Sequence, residues 1–287
     1  MTEPLPELAT AVFRLQRHPD YPMPEKKEWY GKAIQAIFLN AVKEGYSGIT
    51  SAAMHTPNQL RAYAVSNLIT APGSEAAQLP HEFTFRVSVC QKEALLALLH
   101  CTLPGNQLSP GSHLNLSGLH CQITDWHLCD QANYADLVEN ALKLKVKPNQ
   151  TIDLFFESPV YFKDTKAKQC TTAITPPKVF GSLLSKWQID STISLPEALM
   201  TFIQKHVFIN TEEISIVELN MGNHALQGSV GLVRFISDSP KDPDWSFLHC
   251  LVRFAQFSGV GKDTAIGFGQ TRLESEKVTF TDMRAKK

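Results

Sequence analysis

Four glycines, a serine, a lysine and a threonine lie close together near the end of this chain, in Phe257-Ser258-Gly259-Val260-Gly261-Lys262-Asp263-Thr264-Ala265-Ile266-Gly267-Phe268-Gly269-Gln270. Glycine has no Cβ and reaches positive φ at low cost, so such a loop can bring backbone N–H groups close to an anion. A phosphate-cradling P-loop needs a glycine five residues before the Gly-Lys pair and a hydroxyl residue after it. Here those places hold Gln256 and Asp263. The dinucleotide fingerprint fails too, because Thr264 stands where its third glycine belongs and the loop follows a helical pattern, not a strand. What remains is a glycine-rich loop of another kind, with Asp263 as a turn residue.

A second constellation lies two hundred residues earlier. His55 sits in the polar, turn-rich Ser51-Ala52-Ala53-Met54-His55-Thr56-Pro57-Asn58, and Arg61 follows at the start of a strand. An imidazole that shuttles a proton beside a permanent cation is what phosphodiester cleavage without a metal requires. Tyr46 before the loop and Tyr63 after it each offer a hydroxyl or a ring to stack on a base. The plain alternative is an ordinary surface histidine, one of ten. His120, Cys121, His127 and Cys129 suggest a metal only by proximity. Their spacing matches no zinc knuckle, and alternation along a strand sends them to opposite faces. The expectation is no metal and no cofactor.

These groups must be held by a fold. Leu8 to Arg17 alternates as a half-buried strand, and Glu28 to Glu44 carries a helical apolar stripe. Leu60 to Ile69 and Glu82 to Cys90 read as strands, Lys92 to Cys101 as a helix, and His113 to Leu128 as a further strand. That order, β-α-β-β-α-β, is the split unit of the ferredoxin-like fold. The second half repeats it. Thr151 to Phe156 is a strand, interrupted at Pro159, helices cover Pro177 to Trp187 and Pro196 to His206, and a strand pair covers Ile214 to Asn220 and Gly228 to Ile236. A helix from Trp245 to Phe257 and a strand-like tail from Gly267 to Phe280 complete the repeat. The expectation is an α+β protein of two tandem ferredoxin-like (RRM-like) domains, residues 1–135 and 136–287, joined around 130–148, with the glycine-rich loop near the C-terminus. The free face of such a sheet is a surface that RNA-binding folds use.

Composition narrows the partners. The net charge of −1 excludes a general polyanion binder, so any nucleic acid must meet a local patch. Eight lysines (143, 145, 147, 163, 166, 168, 178 and 186) face three acidic residues between Lys143 and Lys186, which is a basic patch or simply a solvated surface. Six cysteines without a CxxC pattern read as reduced thiols of a cytoplasmic protein. No secretory pattern opens the chain, and no apolar run has the length of a membrane span.

The helix followed by Phe257-Ser258-Gly259-Val260-Gly261-Lys262, Thr264 and Gly267-Phe268-Gly269-Gln270 resembles the C-terminal glycine-rich motif of the CRISPR-associated RAMP endoribonucleases that process precursor CRISPR RNA. Gly228 to Phe235, Phe155 to Pro159 and Pro176 to Leu184 are similar to other parts of that family's second domain. The resemblance implies two ferredoxin-like domains and metal-independent cleavage of repeat RNA. In that reaction a 2′-hydroxyl attacks the adjacent phosphate and leaves 2′,3′-cyclic phosphate and 5′-hydroxyl ends. It implies His55 as the general acid or base, with Arg61 stabilising the phosphorane; arginine keeps the charge that a lysine supplies in some members, but cannot act as a base. The tyrosine that some members carry on the first helix has no counterpart among Phe38, Leu39 and Asn40, so the alternatives are His55 working with Arg61 alone or with Tyr46 as a further catalytic candidate. Gly259, Gly261, Lys262, Gly267 and Gly269, with Lys163, Lys166, Lys168 and Lys178, would then hold RNA. The implied partners are CRISPR repeat RNA and other CRISPR effector subunits, with the chain a monomer or homodimer and no membrane. A non-catalytic, repeat-binding subunit of the same superfamily is the alternative reading.

Overall fold

The computed structural model describes residues 5–22, 24, 29–45, 62–70, 81–144, 150–164, 169–221 and 225–273. Its first half forms one antiparallel sheet in the order β2-β4-β1-β6-β5, with β3 also paired to β4. The strands are β1 (Leu8–Arg17), β2 (Tyr63–Val65), β3 (Ile69–Thr70), β4 (Glu82–Val89), β5 (His113–Leu116) and β6 (Leu119–Ala132). Helices α1 (Gly31–Gly45) and α2 (Lys92–Cys101) follow β1 and β4. The core order β2-β4-β1-β6 is that of a ferredoxin-like sheet. Phe13 and Leu15 of β1, Phe85 and Val87 of β4, Ile34 and Phe38 of α1 and Leu95 and Leu98 of α2 share one buried core.

The second half builds a sheet of order β10-β11-β7-β12 from β7 (Ile152–Val160), β10 (Val207–Asn220), β11 (Ala225–Ser237) and β12 (Thr271–Leu273). Strands β8 (Phe162–Asp164) and β9 (Gln169–Thr171) form a separate hairpin. Helices α4 (Pro176–Asp190), α5 (Leu199–His206) and α6 (Pro243–Ser258) complete the repeat. Helix α4 opens on a Thr175 side chain that accepts the Lys178 N–H, with proline at its first positions, and α6 opens the same way on Asp242. Both are strong start signals.

Several local expectations change, among them the strand read from Leu60 to Ile69, which is the two short strands β2 and β3. The single strand read over 113–128 is a hairpin, turned at Ser117 and Gly118, both at positive φ. Residues read as part of the linker form α3 (Tyr134–Lys143), whose Tyr134 ring packs edge-on against Trp187 at 4.8 Å. β7 runs through Pro159 because β11 shifts register between Ser229 and Gly231, where the missing N–H has to be accommodated. β1 is buried along most of both faces, not half-buried.

Candidate functional site

The glycine-rich loop starts where α6 ends. Gly259 takes φ +62° there, and the chain then turns through Gly261, the left-handed Asp263, a 3₁₀ turn at Thr264–Ile266, Gly267 and Gly269. A Cβ on Gly269 would stand 1.8 Å from the Val260 carbonyl oxygen, and one on Gly261 2.5 Å from that of Tyr161. These glycines therefore permit close packing within the protein. The amides are engaged in the same way. Val260 N–H donates to Gly269 O, Gly261 N–H to Ser182 Oγ, Lys262 N–H to Tyr161 O, Gly269 N–H to Pro159 O and Gln270 N–H to Ser158 Oγ. An anion cradle needs such amides directed outward. The composition read as a cradle forms a folded strap in which these five amides are taken up by the protein itself.

The strap joins the two sheets. Trp29 Nε1 donates to Ile266 O at 2.7 Å, Gly31 lies against the same carbonyl, and Gly267 packs on Trp29 and the Ser66–Asn67 backbone. Ala265 enters the first core, while Phe268, Trp29 and Tyr161 make a third small core between the halves. Arg86 of β4 meets Glu157 of β7 at 2.5 Å, and Arg253 of α6 meets Asp130 of β6 at 2.7 Å, so ion pairs cross the same junction. The Tyr161 hydroxyl donates to the Asp263 carboxylate; burial, and then that carboxylate, raise its phenol well above the ordinary range.

Beneath the strap lies Lys186, which the sequence placed among surface lysines. It is 4 % exposed. Its Nζ donates to Ser258 O at 2.9 Å, Gly259 O at 2.8 Å and Thr264 Oγ1 at 3.3 Å. Three donors meet three acceptors at the carbonyl end of α6, where the helix dipole favours a cation. Burial lowers its pKa to about 7, opposed by Cys90 and Asp190. Burial likewise raises Asp190 to about 7, opposed by Lys186 and by a hydrogen bond from Gln91.

Of the lysines expected to hold RNA, Lys262 is exposed on the strap with its ammonium 5.8 Å above the Tyr161 ring. Lys163 is exposed on β8, two residues past Tyr161, and Lys178 lies one turn before Ser182 on α4. The structure thus brings the strap, β8 and the first half of α4 together around Tyr161 and Ser182. Lys166 and Lys168 lie outside the described residues, as do His55, Arg61 and Tyr46. Tyr63 is not a free hydroxyl for catalysis. It is 1 % exposed, packs on Phe38 and accepts a hydrogen bond from Gln35 at 2.9 Å. Among the described residues no group of three or more His, Cys, Asp or Glu could hold a metal ion, and Cys121 faces the first core while His120 points to the other side of the sheet. No described helix is long and apolar enough to cross a membrane.

Residues 154–271 match the model of the CRISPR-associated endoribonuclease family Cas6. Among curated proteins none matches the chain. A Cas6 product complex has a TM-score of 0.72 at 17 % identity, over 93 % of this chain and 99 % of that one. Thermus thermophilus Cas6 gives 0.67 at 17 % identity over 94 % and 99 %, and a Cas6-related protein from Pyrococcus furiosus gives 0.62 at 13 % identity over 94 % and 100 %. At these identities the likeness is one of fold, and it runs through both halves. Residues 154–271 carry the signature of the CRISPR-associated endoribonuclease family Cas6, and the chain as a whole is folded as solved Cas6 structures are.

Proposed function

We propose that this chain is an endoribonuclease that cuts CRISPR repeat RNA in precursor transcripts without a metal. The observation that carries the reading is the Cas6 match over 154–271, which ends on the strap and on the β12 residue that follows it. Similar structures include a Cas6 bound to product, one bound to a substrate mimic and one with a histidine replaced by alanine. In the proposed reaction the 2′-hydroxyl attacks the adjacent phosphate, the P–O5′ bond breaks, and the ends are a 2′,3′-cyclic phosphate and a 5′-hydroxyl. His55 moves the proton, Arg61 balances the charge that builds on the phosphorane, and Tyr46 supplies a hydroxyl near them.

Lys262, Lys163, Lys166, Lys168 and Lys178 contact RNA phosphates, while Gly259, Gly261, Gly267 and Gly269 serve binding by letting the strap present Lys262. The division into residues 1–135, carrying the histidine loop, and 136–287, carrying the lysines and the strap, is part of the same proposal. The test is incubation of repeat RNA with the full chain in EDTA, beside the same RNA carrying one 2′-deoxy substitution at the cleavage site. Cutting of the first and not the second supports the reading. Binding of both without cutting overturns it in favour of a repeat-binding subunit.

A further inference from the structure

The open face of the first sheet ends in a pocket of about 400 Å³ lined by His18, Tyr21, His113, Asn115 and His120, with Leu114 and Cys121 as its floor. Strand alternation accounts for this. Leu114 and Cys121 are partners across β5 and β6 and point into the helix-covered core, so His113, Asn115 and His120 emerge on the opposite side. β1 brings His18 to the same place: Leu15 faces the core, Arg14 and Gln16 face out, and the His18 N–H donates to His120 O at 2.9 Å. Beyond His18 the chain turns, and Tyr21 stacks on His120 at 3.9 Å and 12°. The His18 ring lies 5.0 Å from that of Tyr21, at 78° to it, and 5.4 Å from His113. Tyr21 is 45 % exposed. With one ring face on His120, the tyrosine still leaves nearly half of its surface open to solvent. Pro19 and Pro22 restrict the backbone on either side, so little freedom is lost when something stacks there.

The chemistry of the pocket narrows its ligand. The rings lie against one another, and no three of the described metal-binding side chains converge on a point, so a metal ion is a poor fit. An apolar ligand is a poor fit as well, because three imidazoles and an amide line the walls. A nucleobase has a flat π-face for Tyr21 and edge donors and acceptors for His113 and Asn115. Sheets of the RRM class bind unpaired bases on aromatic side chains of this same face. We propose that the pocket takes one unpaired nucleobase of single-stranded RNA, stacked on Tyr21 and read at its edge by His113 and Asn115. The proposal rests on the reading of the chain as an RNA-processing protein and adds a second contact, remote in sequence from the strap and from His55.

The experiment measures binding of fluorescein-labelled hexauridylate and hexaadenylate to the full chain by anisotropy. Tyr21→Ala is expected to weaken the better-bound hexamer on the order of tenfold, as loss of one base–aromatic stack does, and Tyr21→Phe to retain affinity. His113→Ala changes the preference between the two hexamers. An unchanged unfolding midpoint for Tyr21→Ala, expected for an exposed turn residue, shows that the loss is local. No binding by the parent chain, a change of less than twofold in Tyr21→Ala, or an equal loss in Tyr21→Phe overturns the pocket. Cleavage of repeat RNA is scored separately. A chain that binds the hexamer through Tyr21 but leaves repeat RNA uncut keeps the pocket and overturns the nuclease reading. A chain that cuts repeat RNA while Tyr21→Ala binds the hexamer normally does the reverse.

Discussion

The Lys186 ammonium sits 2.8 Å from the Gly259 carbonyl oxygen, at the residue where α6 ends and the strap begins. Two further acceptors, Ser258 O and Thr264 Oγ1, complete its shell, so a single buried side chain ties α4 to the first and middle parts of the strap. A buried cation is stable only where its donors are all met, and here they are. Lys186→Met keeps roughly the length of the side chain and takes a donor from Ser258 O, Gly259 O and Thr264 Oγ1, of which Gly259 O still accepts from Ser258 Oγ. A loss of about 2–4 kcal/mol in urea unfolding is expected.

Packing, more than backbone conformation, demands glycine at 269. Gly269→Ala would bring a methyl against the Val260 carbonyl and break the Val260–Gly269 pairing, at an expected cost of about 3–5 kcal/mol. Gly105 has a similar left-handed φ of +89° but nothing within 4 Å of its Cβ position. Gly105→Ala should cost only about 1 kcal/mol, the strain of the conformation itself. Thermal midpoints of the two variants separate these causes.

His249 lies on α6 beside Trp245, and burial lowers its pKa from 6.5 to about 4. Between those values the unfolded chain binds the proton and the folded chain does not. The contribution is therefore present above pH 6.5 and is lost as pH falls towards 4. His249→Phe removes it, so the difference in urea-unfolding free energy between pH 7 and pH 5 should shrink by about 1–2 kcal/mol relative to the parent chain.

If His55 carries the proton in repeat cleavage, His55→Ala should slow single-turnover cutting by a factor of about 10² or more while leaving repeat-RNA affinity within twofold. Normal cutting by the variant would remove His55 from the mechanism.

Lys262 and Lys163 are expected to act on phosphate. Each alanine variant should weaken repeat RNA alike across sequences and flatten the slope of log affinity against log salt by about one. A slope that does not change in Lys262→Ala would mean that the strap serves only to join the two halves.

Much of the architecture was legible in the chain because it follows from local periodicity. The strand Leu8–Arg17 and the helix Lys92–Cys101 have the bounds that their apolar patterns predict, and the doubled β-α-β-β-α-β order follows from such patterns in series. Where local pattern was weak, tertiary structure decided. Helix α3 was missed because its buried face is only Tyr134, Leu137 and Ala141, within a polar segment. Lys186 was counted with its neighbours in sequence, since nothing local marks a lysine whose partners lie 72 and 73 residues away. The pocket of His18, Tyr21, His113 and His120 was equally invisible, being assembled from the end of one strand and a hairpin about a hundred residues on.

The sequence by itself determined the two repeated units and the conformational freedom of the glycine loop, because periodicity and the absence of a Cβ are properties of neighbouring residues. Only the tertiary structure decided what that freedom serves. The amides of Gly261, Lys262 and Gly269 and the carbonyls of Ser258, Gly259 and Ile266 are met by Ser182, Tyr161, Pro159, Lys186 and Trp29, and a buried backbone takes whatever partners the fold brings to it.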